Sequence, residues 1–165
     1  MTEREPVAEQ SFKTDDPTLT SWSEARECLK EAEVYWLSTV RPDGRPHAMP
    51  LLAMWIDGAL YFCTSGSARK AKNLAKNPHC VITLGGPDLD LSVEGEARRV
   101  TDEATLRRVV KGYADKFGWQ ATIVDGAIDA DGIGEPPYTV FEMTPTKVIG
   151  LGKESGFSAT RWRFT

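Results

Sequence analysis

The chain has little of what several common chemistries require. Its only histidines are His47 and His79, and its three cysteines, Cys28, Cys63 and Cys80, form no Cys-x-x-Cys pair. No zinc spacing and no His-Glu-x-x-His helix can be assembled from that set, so no metal site is expected. A Gly-x-Ser-x-Gly elbow is missing, and Gly150-Leu-Gly152 extends to neither a dinucleotide fingerprint nor a Walker loop, which removes the usual hydrolase, dinucleotide and nucleotide triphosphate readings. No apolar run approaches a membrane span, and Met1 to Pro17, rich in Glu and Asp, lacks the apolar centre of a signal peptide. A cytoplasmic protein with reduced, buried cysteines is the expectation. There is no excess of positive charge either. A net charge of -4 and a pI near 5.3 argue against general affinity for nucleic acid or acidic membranes, so any anion site must be local.

What is present is one domain's worth of ordinary globular sequence: 165 residues, 41% hydrophobic and 27% charged, with no internal repeat. The most informative stretch runs from Tyr61 to Pro78. A strand from Ala59 to Thr64 leads through Ser65-Gly66-Ser67 into a helix from about Ala68 to Lys76, stopped by Asn77-Pro78. Ser65 or Ser67 is placed to cap that helix, whose free amide groups and positive dipole end attract anions. Arg69 and Lys70 fall in its first turn, where a cation costs a few tenths of a kcal/mol up to about 1 unless something negative offsets it. Arg69, Lys72, Asn73 and Lys76 make one stripe, with Ala68, Ala71, Leu74 and Ala75 opposite. This is a phosphate-binding pattern. The bland alternative is an amphipathic surface helix with solvated lysines.

The remainder reads as short strands. Residues up to Thr20 look like a flexible arm, and Ser21 with Glu24 opens a short helix as a capping box. Val34–Val40, Pro46–Trp55 and Ala59–Thr64 follow as an antiparallel meander, turning at Pro42-Asp-Gly44 and Asp57-Gly58. His79–Leu84 and Leu89–Val100 are further strands, with Gly95 marking a bulge or a close backbone approach. Thr101 with Asp102 and Glu103 caps a second helix that ends before Gly118, and Trp119 to Pro137 shows no period and reads as a long loop. Tyr138–Met143 and Lys147–Leu151 are two strands flanking Thr144-Pro145, and the tail ends in Thr160-Arg-Trp-Arg-Phe164, which should dock somewhere. Seven or so short strands and two or three helices predict a mainly β fold with peripheral helices, a barrel or a sandwich. Trp36, Trp55 and Trp119 are expected in its core.

Leu37-Ser-Thr-Val-Arg-Pro-Asp-Gly-Arg-Pro-His-Ala-Met-Pro-Leu51, Trp55-Ile-Asp-Gly-Ala-Leu-Tyr-Phe62, Arg69 to Pro78 and Val93-Glu-Gly-Glu-Ala97 occur in this order. Together they resemble the pyridoxamine 5'-phosphate oxidase-like flavin-binding split β-barrel superfamily, most of all its flavin/deazaflavin (coenzyme F-420) oxidoreductase branch. The resemblance covers roughly residues 33 to 150 and implies a six-stranded antiparallel split β-barrel. Its implied domain plan is a flexible arm (1–20), a barrel (21–152) and a tail (153–165) docked on the barrel or on a partner subunit. It also implies a homodimer with the cofactor, F-420 or FMN, at the subunit interface.

Carried over residue by residue, Thr64, Ser65, Arg69, Lys70 and Asn73 would hold the cofactor phosphate, and Met49, Pro50 and Leu51 would line the ring. The implied activity is hydride transfer to a small unsaturated or quinone-like substrate, with a non-catalytic flavin, deazaflavin or haem carrier, or a stress-related protein, as the alternative. Pyridoxamine phosphate oxidases carry a C-terminal Arg-x-His signature, whereas this chain has Arg161-Trp162-Arg163-Phe164, which points away from pyridoxal phosphate as product. Arg161, Lys72 and Lys76 would suit the acidic F-420 tail, and Trp162 is a candidate to line the site. No side chain is compelled as a catalytic acid. His47 is the nearest candidate, although a lone strand histidine is more often structural.

Overall fold

A computed structural model describes residues 3–132, 134–154 and 156–165. In chain order the elements are β1 (Val7–Gln10), α1 (Trp22–Glu31), β2 (Tyr35–Val40), β3 (Pro46–Leu51), β4 (Ala53–Ile56), β5 (Ala59–Ser65) and α2 (Arg69–Lys76). They continue as β6 (His79–Gly85), β7 (Leu89–Val100), α3 (Glu103–Phe117), β8 (Thr122–Val124), β9 (Ala127–Asp129), β10 (Tyr138–Gly152) and β11 (Ser158–Arg163).

Antiparallel ladders join β3 to β2, β2 to β6, β6 to β7, β7 to β10, β10 to β5 and β5 to β4. Since β3 and β4 are one extended run broken only at Leu52, following the chain through that residue closes the circuit. The expected antiparallel β fold with peripheral helices is therefore what forms, and six strands carry the ring. The single strand expected over Pro46–Trp55 is the one that breaks.

β10 splits the barrel. The two strands expected on either side of Thr144-Pro145 are one strand, paired with β7 along one edge and, on the other, first with β5 and then with β11. The change of partner falls at a register shift between Pro145 and Lys147, where a proline has no N–H to give to a ladder. Gly95 lies opposite Pro145, and a Cβ there would collide with the Thr144 carbonyl oxygen. The close approach read from Gly95 is thus real.

The inward residues of the ring, among them Leu37, Phe62, Ile82, Val93, Met143 and Val148, are buried together with Trp22 and Leu29 of α1. Each such side chain contributes about 1.5–3 kcal/mol of transfer free energy. A second cluster joins α3 (Leu106, Val109, Tyr113) to Met54, Tyr61, Tyr138 and Val140 on the sheet's other face. Helix α1 starts with the capping box expected at Ser21 and Glu24.

The ends of the described chain lie together. Within the stretch expected to be a flexible arm, Val7–Gln10 pairs with β11, and Glu9 takes both Arg161 and Arg163. Trp162 is fully buried and its ring lies 5.7 Å from that of Trp22, so within this chain it is a core residue and not part of a site. Trp36, expected in the core, is 49% exposed instead. On β2 the buried positions are Tyr35, Leu37 and Thr39, and the period of two turns Trp36 outward. The presumed loop after α3 also contains a hairpin, β8–β9, closed by Asp125 and Gly126 with positive φ. Each strand has three residues, too few to show alternation, although Asp-Gly was the available signal. Of the cysteines, all free, only Cys80 is buried, while Cys28 and Cys63 are partly exposed.

Candidate functional site

The β5–α2 connection is where the sequence placed an anion site, and the structure alters its details. Helix α2 begins at Arg69 with Ala68 as its N-cap, and no side chain caps it. Ser65 and Ser67, the expected caps, hydrogen-bond each other through their hydroxyls at 3.0 Å. The amide groups at the helix start are therefore left for another acceptor.

Its basic residues are in the same condition. The side chains of Arg69, Lys70, Lys72 and Lys76 make no hydrogen bond or ion pair among the described residues, and the first turn carries no acid. Arg69, Lys72 and Lys76 are exposed, whereas Lys70 is half-buried, and burial lowers its pKa from the ordinary lysine value. The stripe expected to include Asn73 does not hold together. Asn73 is fully buried, donates to the Thr39 hydroxyl at 3.0 Å and so pins α2 onto β2.

Lys70 faces a cavity of about 580 Å³, within the range of small-molecule sites. At its polar end are Thr64, Ser65 and Ala68, and its long wall is Leu51, Leu52, Phe117, Trp119 and Tyr138. Of the residues expected to bind a cofactor, Pro50, Leu51, Thr64, Ser65 and Lys70 line this cavity. Met49, Arg69 and Asn73 do not.

Two elements that sequence reasoning missed complete the site. Tyr113 of α3 donates to the Leu52 carbonyl (3.2 Å) and accepts from the Cys63 amide (3.0 Å), bridging the break between β3 and β4 to the neighbouring strand β5. Trp119, expected in the core, lines the cavity, packs edge-on against Tyr113 at 5.0 Å and Tyr138 at 5.6 Å, and donates to the Asp131 carbonyl at 2.6 Å. The helical period of α3 revealed Tyr113 as apolar-face, but nothing local showed that its hydroxyl would cross to Leu52.

Electrostatics follow the same geometry. Burial pushes the Cys63 thiol up to about 11 despite Lys70 and the Tyr113 hydroxyl, which keeps it a protonated wall residue. His47 on β3 is lowered, first by burial and then by Arg41, Lys70 and Arg69, so it stays neutral beside this cationic region. It does not line the cavity. No group of three or more His, Cys, Asp or Glu side chains could hold a metal among the described residues, and no helix among them is long and apolar enough to cross a membrane.

A split ring of antiparallel strands, with a cation-ended aromatic cavity at a strand–turn–helix, defines the split-barrel class. The family model described as Pyridoxamine 5'-phosphate oxidase matches residues 21–152, and the chain belongs to that family. Pyridoxine/pyridoxamine 5'-phosphate oxidases of Pseudomonas entomophila (36% identical over 74 residues, 43% of this chain and 34% of that one) and Pseudomonas fluorescens (37% over 104 residues, 58% and 48%) are similar. The chain spans about half or less of these relatives' length. Among solved structures, an F420 reductase superposes with TM-score 0.57 at 23% identity over 74% of this chain and 94% of that one. A FAD-binding protein of Mesorhizobium loti does so with TM-score 0.56 at 19% identity, over 87% and 95%. At such identities the likeness is one of fold.

Proposed function

We propose that the chain is an oxidoreductase that binds a flavin-type cofactor, FMN or coenzyme F-420, in the 580 Å³ cavity. The observation that carries this reading is the half-buried Lys70, its side chain without a partner among the described residues, lining an aromatic-walled cavity beside an uncapped helix start. Lys70 and the free amides of α2 take the phosphate, assisted by the Ser65 and Thr64 hydroxyls and at longer range by exposed Arg69. Leu51, Leu52 and Trp119 offer the apolar surface that a tricyclic ring needs, with Pro50 in the same lining. When bound, the cofactor supplies the hydride chemistry, and the substrate class is a small unsaturated or quinone-like molecule.

The protein's own part is binding, orientation and exclusion of water. With the Cys63 thiol protonated, Lys70 is the cation of the cavity, whose lining also includes Asp131. We further propose a homodimer, because Trp36 exposes 49% of its surface and borders an apolar groove with Leu84, Ile149 and Leu151.

Titration of the purified protein with FMN and with F-420, followed by quenching of tryptophan fluorescence, tests the reading. Micromolar or tighter binding of either is the expected result. Binding of neither would return α2 to an ordinary solvated helix and end the proposal. Sedimentation of the same sample reads the dimer.

A further inference from the structure

The four tyrosines of the chain are Tyr35, Tyr61, Tyr113 and Tyr138. Three have their hydroxyls satisfied. Tyr35 donates to the Leu29 carbonyl, Tyr61 to the Glu142 carboxylate and Tyr113 to the Leu52 carbonyl. Tyr138 is only 3% exposed, and its hydroxyl is buried with no hydrogen-bond partner among the described residues. An unpaired buried hydroxyl is a liability that phenylalanine, with the same ring, would avoid. The ring has a packing role, edge-on to Trp119, but the oxygen has none.

Its position gives the oxygen a use. Tyr138 opens β10 directly opposite Ser65 and lines the same cavity as Ser65 and Lys70. A Cβ placed on Gly132 would stand 3.3 Å from the Tyr138 hydroxyl, so glycine there keeps a side chain from pressing on the oxygen. The neighbouring Trp119 indole N–H is already committed to the Asp131 carbonyl. The tyrosine hydroxyl is the donor still free.

We propose that the Tyr138 hydroxyl donates a hydrogen bond to a neutral oxygen acceptor, of the carbonyl type, on the ligand held in this cavity. The ligand is then read at two points, its anion by Lys70 on α2 and its conjugated carbonyl by Tyr138 on β10. Burial, with the negative charge of Asp129 and Asp131 adding to it, raises the Tyr138 pKa, so the group stays a protonated donor. This inference rests on the cavity being the cofactor site proposed above. A conjugated carbonyl belongs both to flavin-type rings and to quinone-like substrates, and the test separates the two sources.

The experiment uses protein labelled with 13C at tyrosine Cζ, with Tyr138→Phe identifying the signal. FMN and F-420 are titrated in turn, and reduction of a simple naphthoquinone to its hydroquinone is then measured with saturating, pre-reduced cofactor as the electron donor. If the acceptor is on the cofactor, the Tyr138 signal shifts on cofactor addition and Tyr138→Phe binds about two- to tenfold more weakly, the range of one neutral hydrogen bond. If it is on the substrate, cofactor affinity holds while KM for the quinone rises by a similar factor at unchanged kcat.

The variant should melt at or above the wild-type temperature, since it loses an unsatisfied hydroxyl. A lower melting temperature would reveal an internal partner and overturn the proposal. So would an unmoved signal with unchanged affinity and KM in a protein whose cofactor binding is weakened by Lys70→Ala. Wild-type protein that binds neither cofactor would instead remove the cofactor site itself, and this inference with it.

Discussion

Helices α2 and α3 carry four basic residues each and treat them in opposite ways. On α3, Arg107 meets Glu103, Arg108 meets Asp57, Lys111 meets Asp115, and Lys116 reaches the Tyr35 hydroxyl and the Ala53 carbonyl. Its start is capped by Asp102 with Glu103 in the first turn, and its end by Gly118 in the left-handed conformation. On α2 none of Arg69, Lys70, Lys72 and Lys76 has such a partner among the described residues, the cap is an alanine, and the first turn holds no acid. The charges of α3 are met by its own acids or by the strands and turn beside it, so they serve the fold. The positive end of α2 is left for something from outside.

The largest effect expected from this contrast is on ligand affinity. Lys70→Ala should weaken FMN or F-420 binding by about 1.5–3 kcal/mol, roughly 10- to 150-fold, as for a charge-assisted hydrogen bond. Lys111→Ala on α3 should leave it unchanged. Equal affinity losses in a fluorescence titration of the two variants would erase the distinction. Wild-type binding should also fade as pH rises through the lowered Lys70 pKa, earlier than loss of charge from an exposed lysine predicts.

Lys116 gives the next effect. Burial lowers its pKa to about 8 from 10.5, so between those values the unfolded chain binds more protons than the folded one and its contribution to stability grows as pH rises. Urea unfolding of wild type against Lys116→Met should diverge across that window, and parallel curves would refute the assignment.

The caps come third. Asp102→Ala should cost α3 about 1 kcal/mol in thermal or urea unfolding. Ala68→Asp should do the reverse on α2, stabilising the fold by about as much while weakening cofactor binding, because the new carboxylate occupies the free amides. A variant that gains stability and keeps full affinity would show that those amides do not meet the ligand. Smallest is Glu103→Gln, which removes an exposed i, i+4 pair worth about 0.3–0.5 kcal/mol and should leave binding untouched.

How much of this was legible depended on whether the signal was local. The Ser21–Glu24 box, the bounds of β7, the Asp57-Gly58 turn and the apolar face of α3 are written in adjacent residues, and each was readable. Lys70 was readable as a residue of the strand–turn–helix proposed to take an anion because strand, turn and helix are contiguous. Asn73 was misplaced from the ligand stripe since only the packing of α2 on β2 shows that it faces Thr39. Arg161 looked available for a ligand until its partner, Glu9, was found far away in the chain. Tyr113, Trp119 and Tyr138 line the wall from three segments, and no spacing in the sequence brings them together.

The hydroxyl of Tyr113 couples the cavity to the closure of the barrel. It touches the backbone at Leu52, where the ring's circuit is broken, and at Cys63, which lines the same cavity. A molecule settling against that wall therefore also leans on the seam, and the solvent exchange of the Cys63 amide hydrogen becomes a native gauge of occupancy, slowing as the cavity fills and needing no added label.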